Sequence, residues 1–297
     1  MALSDSISDV ARSKFADTVF ELAQQTGARL RGIVEMEQID AENMMFPRIG
    51  NVEAQELTGR YPEITPADIT WDNRKLDAAR IGVPLFVDKW DAQKMIADPN
   101  SVLAKRAAQA LERHFDRVVV RAALATVYTG RQGTTAVSAA TDGVIQVDAT
   151  SGLTYNKLLE IDENFQKKEV GTDMPIRKFL LISEQEHTRL MKETNLISGD
   201  FSKQYVIDKG RMVRALDFEL IVYGSAVPIP MLGVSGGVRS CLAIAAGGIK
   251  VGITQGWDID VQPRNDRWHT TQILASGILG ATRMEGVRIQ EVQTTAA

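Results

Sequence analysis

The sequence SVLAKRAAQALERHFDRVVVRAALATVY, residues 101–128, decides the fold more than any other stretch of the chain. Its apolar side chains return every three or four positions, which is the period of one helical face. Ser101 can cap the N-terminus, and Gly130 follows the other end. We therefore predict one helix over residues 101–128, about 42 Å long at 1.5 Å per residue and far longer than an average helix. The side chains on its apolar stripe are Leu103, Ala107, Leu111, Phe115, Val118 and Ala122.

Towards the N-terminus the pattern changes from helical to alternating. An apolar residue stands at every second position from Ala79 to Val87, which predicts a strand. Residues 40–76 fit no helical face and are interrupted by glycine and proline, so we expect a long extended hairpin there. Because an isolated hairpin is marginal in water, the rest of the chain or a neighbouring subunit should cover it. Residues 7–25 have helical spacing and predict a short amphipathic helix that ends at Gly27.

The segment after the long helix mixes short strands and helices. Asp142 and Gly143 stand between two β-prone runs and predict a hairpin turn. A second helix should begin at Thr154. Its inward-facing side chains are predicted to be Leu158, Leu159, Ile161 and Phe165.

Beyond this helix the chain is rich in strands. Residues 179–182 predict a buried strand, and the capping-box spacing of Ser183 and Glu186 predicts a helix through about Glu193. Residues 218–223 predict another strand, and the chain stays β-prone from Cys241 to the end. The fold class is therefore α+β. The apolar sides of the last strands are predicted at Ile259, Val261, Thr271, Ile273, Val287, Ile289 and Val292.

Composition excludes several classes of protein. The 297 residues are 44% hydrophobic, so wholesale disorder is excluded. Lys plus Arg total 34 against 38 Asp plus Glu, and this net charge of −4 predicts no tight hold on nucleic acid. No segment approaches the ~20 apolar residues of a membrane-spanning helix. The single cysteine, Cys241, is expected to be a free buried thiol.

One sequence motif suggests enzyme chemistry. Residues 233–237, GVSGG, match the nucleophile elbow with Ser235, and either Asp258 or Asp260 followed by His269 completes the order of a serine hydrolase. The two prolines of SAVPIPML, residues 225–232, argue against the buried strand that such an elbow requires, so a surface turn is the alternative. Neither the three histidines nor any glycine-rich loop has the spacing of a metal or nucleotide site, and we expect no cofactor and no metal.

The order of elements and several local stretches resemble the Hong Kong 97 fold of tailed-bacteriophage major capsid proteins. The local resemblance is carried by GRMVRALDFELIVYGS (210–225), with Asp217 where the family usually has glycine, and by DIDVQPRNDRW (258–268), GATRME (280–285) and VRIQEV (287–292). The resemblance implies an N-terminal arm (1–31), an extended loop (32–90) and a peripheral domain with the spine helix (91–149). It further implies an axial domain (150–250) and closing strands of the peripheral domain (251–297).

The resemblance implies a structural protein and not an enzyme. Copies of the chain would form the hexamers and pentamers of an icosahedral head around double-stranded DNA, in a virion assembled in the host cytoplasm. Expected partners are a separate scaffolding protein, a portal, possible decoration proteins and non-specifically contacted DNA, with no membrane. An encapsulin-like cellular nanocompartment shell and, remotely, the serine hydrolase using Ser235 and His269 are the alternatives.

The arm and the extended loop are expected to project from the body and bury their apolar residues on neighbouring copies. Charges along the loop should pair across the rim of the interface and fix its register. In some relatives a loop lysine bonds covalently to a neighbour, but no supporting acid-and-Asn pattern accompanies Lys75 or Lys89, so we expect no cross-link. The predicted intersubunit contacts are Phe15, Val19, Asp68, Trp71, Asp72, Arg74, Lys75, Leu76, Arg80, Ile81 and Val83.

Overall fold

A computed structural model describes residues 25–39, 41–54, 56, 66–87, 99–148, 151–172, 175–193, 207–208, 211–227, 229–254 and 256–296. The helices of this part are α1 (Pro99–Leu124), α2 (Tyr155–Lys167) and α3 (Glu184–Leu190). The strands are β1 (Glu35–Gln38), β2 (Asn43–Ile49), β3 (Trp71–Asp77), β4 (Ala79–Val87), β5 (Val127–Thr129), β6 (Thr135–Val137), β7 (Ile145–Val147), β8 (Lys178–Ser183), β9 (Ile207–Asp208), β10 (Arg211–Met212), β11 (Arg214–Ala215), β12 (Phe218–Tyr223), β13 (Val234–Ser235), β14 (Val238–Ala245), β15 (Ile249–Ile253), β16 (Asp258–Arg264), β17 (Thr270–Arg283) and β18 (Ile289–Thr295).

The chain divides into two compact units. The described part of the first unit comprises residues 25–27, 81–87, 99–113 and 256–277, and the second unit contains the other described residues. Each unit is assembled from separated segments of the chain. The five consecutive segments implied by the resemblance remain a prediction.

The first unit packs the N-terminal half of α1 against strands. Ala107 and Leu111 of the helix form a buried cluster with Ala275 of β17, and alternate residues of β4 pack around this cluster. β4 and β16 both pair with β17, and β16 runs antiparallel to it from Asp258↔Ser276 to Arg264↔Thr270. The alternation that predicts a strand over residues 79–87 is confirmed, because its apolar positions face the helix.

The second unit contains a mixed sheet of seven strands. Its order is β11-β12-β8-β14-β18-β7, and β13 pairs with β14. All six residues of β8 are buried, which confirms the predicted core strand. α2 buries Leu158, Ile161 and Phe165, and the Phe165 ring lies 6.1 Å from that of Phe218 on β12. Leu159 is 42% exposed, so the prediction that it faces inward is wrong.

Thr154 and Ser183 cap the helices predicted to begin there, whereas α1 begins at Pro99, so the prediction that Ser101 caps it is wrong. The side-chain oxygen of Thr154 accepts a hydrogen bond from the backbone N–H of Lys157, and that of Ser183 accepts one from Glu186. These bonds satisfy N–H groups that have no partner inside the helix. α3 ends at Leu190, three residues before the predicted end at Glu193.

A second sheet of this unit, β2-β3-β5-β6, corrects two sequence expectations. α1 ends at Leu124, about 39 Å from its start at 1.5 Å per residue, because Val127 and Tyr128 belong to β5 and pair with strands. Gly143 adopts the left-handed backbone of a turn, with φ of 91°. The turn joins no hairpin, because β6 pairs with β5 while β7 pairs with β18.

The C-terminal strands depart from prediction at two places, and the first is Val287, which lies in a 3-10 turn (Gly286–Arg288) before β18. Ile273, Ile289 and Val292 are buried as expected, but Ile259 and Val261 are 42% and 47% exposed. These two residues lie on β16, the edge strand of the order β1-β15-β17-β16, which pairs with β17 alone. In the second unit, β15 pairs antiparallel with the C-terminal part of β17 and parallel with β1.

Candidate assembly surface

The β2–β3 hairpin is anchored at one end in the core of the second unit. Its register runs from Asn43↔Asp77 to Ile49↔Trp71. Near the first pair, Phe46 and Leu76 are buried in a cluster with Ile39. Leu76 is fully buried within its own chain, so the prediction that it is left for a neighbouring copy is wrong.

A buried ion network fixes the same end. The Arg74 guanidinium donates to Asp142, whose other oxygen accepts a hydrogen bond from Arg283 Nε at 2.8 Å. Arg74 is 1% exposed, and burial lowers its pKa although the charge of Asp142 opposes this shift. The prediction that Arg74 pairs across an interface rim is therefore wrong, since its ionic partner lies in its own chain.

Two other predicted rim charges also have partners within the chain. Asp72 Oδ2 lies 2.9 Å from Arg48 Nη2, and Lys75 Nζ lies 2.7 Å from Asp77 Oδ1. Asp72 also accepts a hydrogen bond from the backbone N–H of Gly130 at 3.3 Å, which joins β3 to the turn after β5. These charges stabilise the hairpin itself. Asp68 and Arg80 are exposed.

The opposite end of the hairpin is apolar and exposed. Trp71 is 69% exposed and its cross-strand partner Ile49 is 59% exposed, while Val52 and Ile69 beside them are 46% and 43% exposed. We call these four residues the hairpin end. Large apolar side chains grouped on a surface mark an interaction site more often than scattered ones do. Only Trp71 is among the predicted contacts, because the other three are recognisable only once the register of the hairpin is known.

The remaining predicted contacts have different outcomes. Ile81 and Val83 are partly buried against the Ala107–Leu111–Ala275 cluster of the first unit, and their contact with a neighbour remains a prediction. They pack within their own chain because they occupy the inward face of β4. Phe15 and Val19 lie outside the described residues.

The structure does not support the hydrolase alternative. Ser235 ends β13 and pairs with Val238 of β14, and the two residues between them, Gly236 and Gly237, have φ of 59° and 77°. This is a two-residue hairpin turn, for which glycine is favoured. A nucleophile elbow requires a strand-to-helix turn, which this site lacks. His269 occupies the turn between β16 and β17 of the first unit.

Cys241 is a free, buried thiol as predicted, and burial raises its pKa to about 11. Across the described ranges, no group of three or more His, Cys, Asp or Glu side chains is placed to hold a metal ion. Likewise, no helix among the described residues is long and apolar enough to cross a membrane.

The described residues form an α+β fold with an exposed apolar hairpin end. Solved structures with the same fold include a capsid of the cyanophage P-SCSP1u (TM-score 0.73, 12% identity, covering 98% of this chain and 95% of that one). The capsid of the Helicobacter pylori bacteriophage KHP30 has a TM-score of 0.74 at 8% identity and covers 100% and 99% of the two chains. The capsid of an empty GTA particle has a TM-score of 0.65 at 11% identity and covers 99% and 100%.

A family model described as phage capsid protein matches residues 7–295. The chain therefore belongs to the phage capsid protein family, and its place is the capsid of the virion. No curated protein sequence matches it. The family favours the phage shell over the cellular compartment as the role of this chain.

Proposed function

We propose that copies of this chain form the hexamers and pentamers of an icosahedral phage head that encloses double-stranded DNA, with a Hong Kong 97-type arrangement of arm, extended loop, spine helix and axial domain. The observation that carries the proposal is the exposed apolar hairpin end on a hairpin whose other end is fixed in the core. In a single chain this surface is exposed to solvent, and a second copy can bury it.

The driving force is the burial of apolar surface, worth about 25 cal/mol per Å². The hairpin end meets a different surface on its neighbour, so the contact is heterologous and closes into rings when the rotation between copies permits. The exposed charges of Asp68 and Arg80 would lie near the rim and fix register more than they add affinity. Phe15 and Val19 of the N-terminal arm would add a second contact.

The other proposed partners follow from the net charge of the chain and from its resemblance to phage capsid proteins. The net charge of −4 suits a lining that contacts packaged DNA without holding it tightly. We expect a separate scaffolding protein and a portal, possible decoration proteins, and assembly in the host cytoplasm. Tight binding of DNA by the unassembled chain at physiological salt would contradict this part of the proposal.

The test replaces Trp71 and Ile49 together by aspartate. Each substitution would place an unpaired charge in the proposed interface, so the variant should remain unassembled under conditions where the wild-type chain forms shells. Sedimentation velocity and negative-stain microscopy give the readout, and circular dichroism confirms that the variant is folded. Trp71→Phe with Ile49→Val is the matched control and should still assemble. Full shells from the aspartate variant would refute the role of the hairpin end.

A further inference from the structure

A pocket of about 520 Å³ opens beside the C-terminal half of α1 in the second unit. This volume lies within the range of about 300–1,000 Å³ typical of sites that enclose drug-sized molecules. One wall belongs to α1, and the other to residues 229–233 and the start of β14. Side chains that define it include Arg117, Arg121, Leu124, Ile229, Met231 and Leu242. We call it the α1 pocket.

The pocket carries two positive charges over an apolar floor. Among the described residues, neither Arg117 nor Arg121 has an ion-pair partner, and the buried Nε of Arg117 has no hydrogen-bond acceptor. Burial, and then the charge of Arg121, lower the pKa of Arg117. Two like charges beside buried apolar surface favour a ligand that brings a carboxylate and a large apolar group together.

The hairpin end has the complementary character. Its apolar side chains are accompanied by the exposed acids Glu53, Glu56 and Asp68, and the sequence of residues 49–71 contains one basic residue, Arg60. Asp68 stands three residues before Trp71 in the sequence and is exposed, as Trp71 is. An arginine can also stack on the face of an indole ring.

We propose that Trp71 of one copy inserts into the α1 pocket of a neighbouring copy, with Asp68 facing Arg121 and Arg117. This inference rests on the proposed function and adds the surface that receives the hairpin end. The occupant comes from another copy, because Trp71 is 69% exposed within its own chain. The contact is head to tail, as ring formation requires.

A charge exchange between the two surfaces tests the pairing. Arg121→Glu and Asp68→Arg, each alone, should raise the concentration of unassembled chain that coexists with shells by about tenfold. Combining them should return it to within about threefold of wild type, because the opposite charges meet again with their positions exchanged. Arg131→Glu reverses an exposed charge that does not line the pocket and is the matched control.

The outcomes separate this inference from the proposed function. If Arg121→Glu assembles like the wild-type chain, or if the double variant shows no rescue, the α1 pocket is not the receiving surface. The hairpin end keeps its role in that case if the aspartate variant of Trp71 and Ile49 fails to assemble. If that variant also forms shells, the proposed function of the hairpin end fails as well.

Disulfide cross-linking locates the contact directly. Shells of the Asp68→Cys, Ala125→Cys variant should give multimers on a non-reducing gel after mild oxidation, because Ala125 lines the pocket. Cys241 should form no disulfide, because it is buried. Asp68→Cys with Arg131→Cys should give none. A Val19→Cys, Ala125→Cys variant tests the alternative occupant. If that variant cross-links and the Asp68→Cys variant does not, the pocket receives the N-terminal segment and the inference is overturned.

Discussion

Asp142 holds two fully buried arginines, Arg74 and Arg283, where the hairpin joins the body of the second unit. Arg283 also donates to the carbonyl oxygens of Ala123 and Ala125 at 2.8 and 2.9 Å, which ties the end of α1 to the same point. A buried cation is tolerated only when a charge and hydrogen bonds compensate it. The carboxylate of Asp142 therefore positions β3, β17 and the end of α1 together.

Replacing Asp142 by asparagine should destabilise the unassembled chain by about 3–5 kcal/mol, because it leaves buried guanidinium charges uncompensated. Urea denaturation followed by circular dichroism measures this free energy of unfolding. Asp72→Asn is the matched control: its partner Arg48 is about one-third exposed, and the loss should stay below about 1 kcal/mol. Equal losses for the two variants would contradict the importance of the buried network.

Leu216 is strained in the turn between β11 and β12. Its φ of 53° lies in the left-handed region, which costs a residue with a side chain roughly 1–2 kcal/mol, and its side chain is 40% exposed. Leu216→Gly removes the strain but adds freedom to the unfolded chain, so we expect a net gain in thermal stability equivalent to ~0.5–1 kcal/mol. Ala215→Gly, at the buried neighbouring position, should destabilise. A lower melting temperature for Leu216→Gly would show that the turn is not strained.

At the scale of elements, Asp116 on α1 connects three parts of the second unit. It accepts hydrogen bonds from the backbone N–H groups of Arg29 and Leu30, at 3.0 and 3.1 Å, and from the Tyr223 hydroxyl at 3.1 Å. These bonds hold residues 29–30 against the helix and β12. The point where the chain leaves the proposed N-terminal arm is thereby fixed.

Asp116→Ala should release this segment and leave buried donors without an acceptor. Trypsin should then cleave after Arg29 and Arg31 faster than in the wild-type chain, while cleavage elsewhere in the second unit changes little. Asp116→Asn retains one acceptor oxygen and should have an intermediate effect. Mass spectrometry of a time course identifies the cleaved bonds, and unchanged cleavage in Asp116→Ala would argue against the anchor.

Elements that depend on local signals were predictable from sequence. Residues close together in the sequence determine the apolar stripe of α1, the alternation in β4 and the helix starts at Thr154 and Ser183. Strand partners were not predictable in the same way. Asp142 and Gly143 have the composition of a hairpin turn, yet the flanking strands pair with β5 and β18 because distant residues determine the sheets.

The same distinction applies to the candidate assembly surface. Both Trp71 and Leu76 are large apolar residues on β3, and nothing in the local sequence separates the exposed one from the buried one. The burial of each side chain depends on the cross-strand register, and that of Leu76 also depends on its cluster with Ile39 and Phe46. The α1 pocket is equally non-local, since its two walls lie about a hundred residues apart in the chain.

At the scale of the whole molecule, the chain combines a buried core with an apolar surface that is exposed to solvent in a single copy. Within the second unit, the buried ion network fixes the base of the hairpin, and every residue of β8 is buried. The hairpin end, by contrast, keeps its large side chains in water. A head-to-tail contact between such surfaces provides the repeated unit from which a closed shell can be built.

The most direct measurement is hydroxyl-radical footprinting of Trp71, read by mass spectrometry, in assembled shells and in unassembled chain. Phe115 is fully buried in its own chain and serves as the internal reference, with equal oxidation in both states. We predict that oxidation of the Trp71 indole falls at least fivefold in the shell, because a neighbouring copy covers it. Equal oxidation of Trp71 in shells and in unassembled chain would contradict the account.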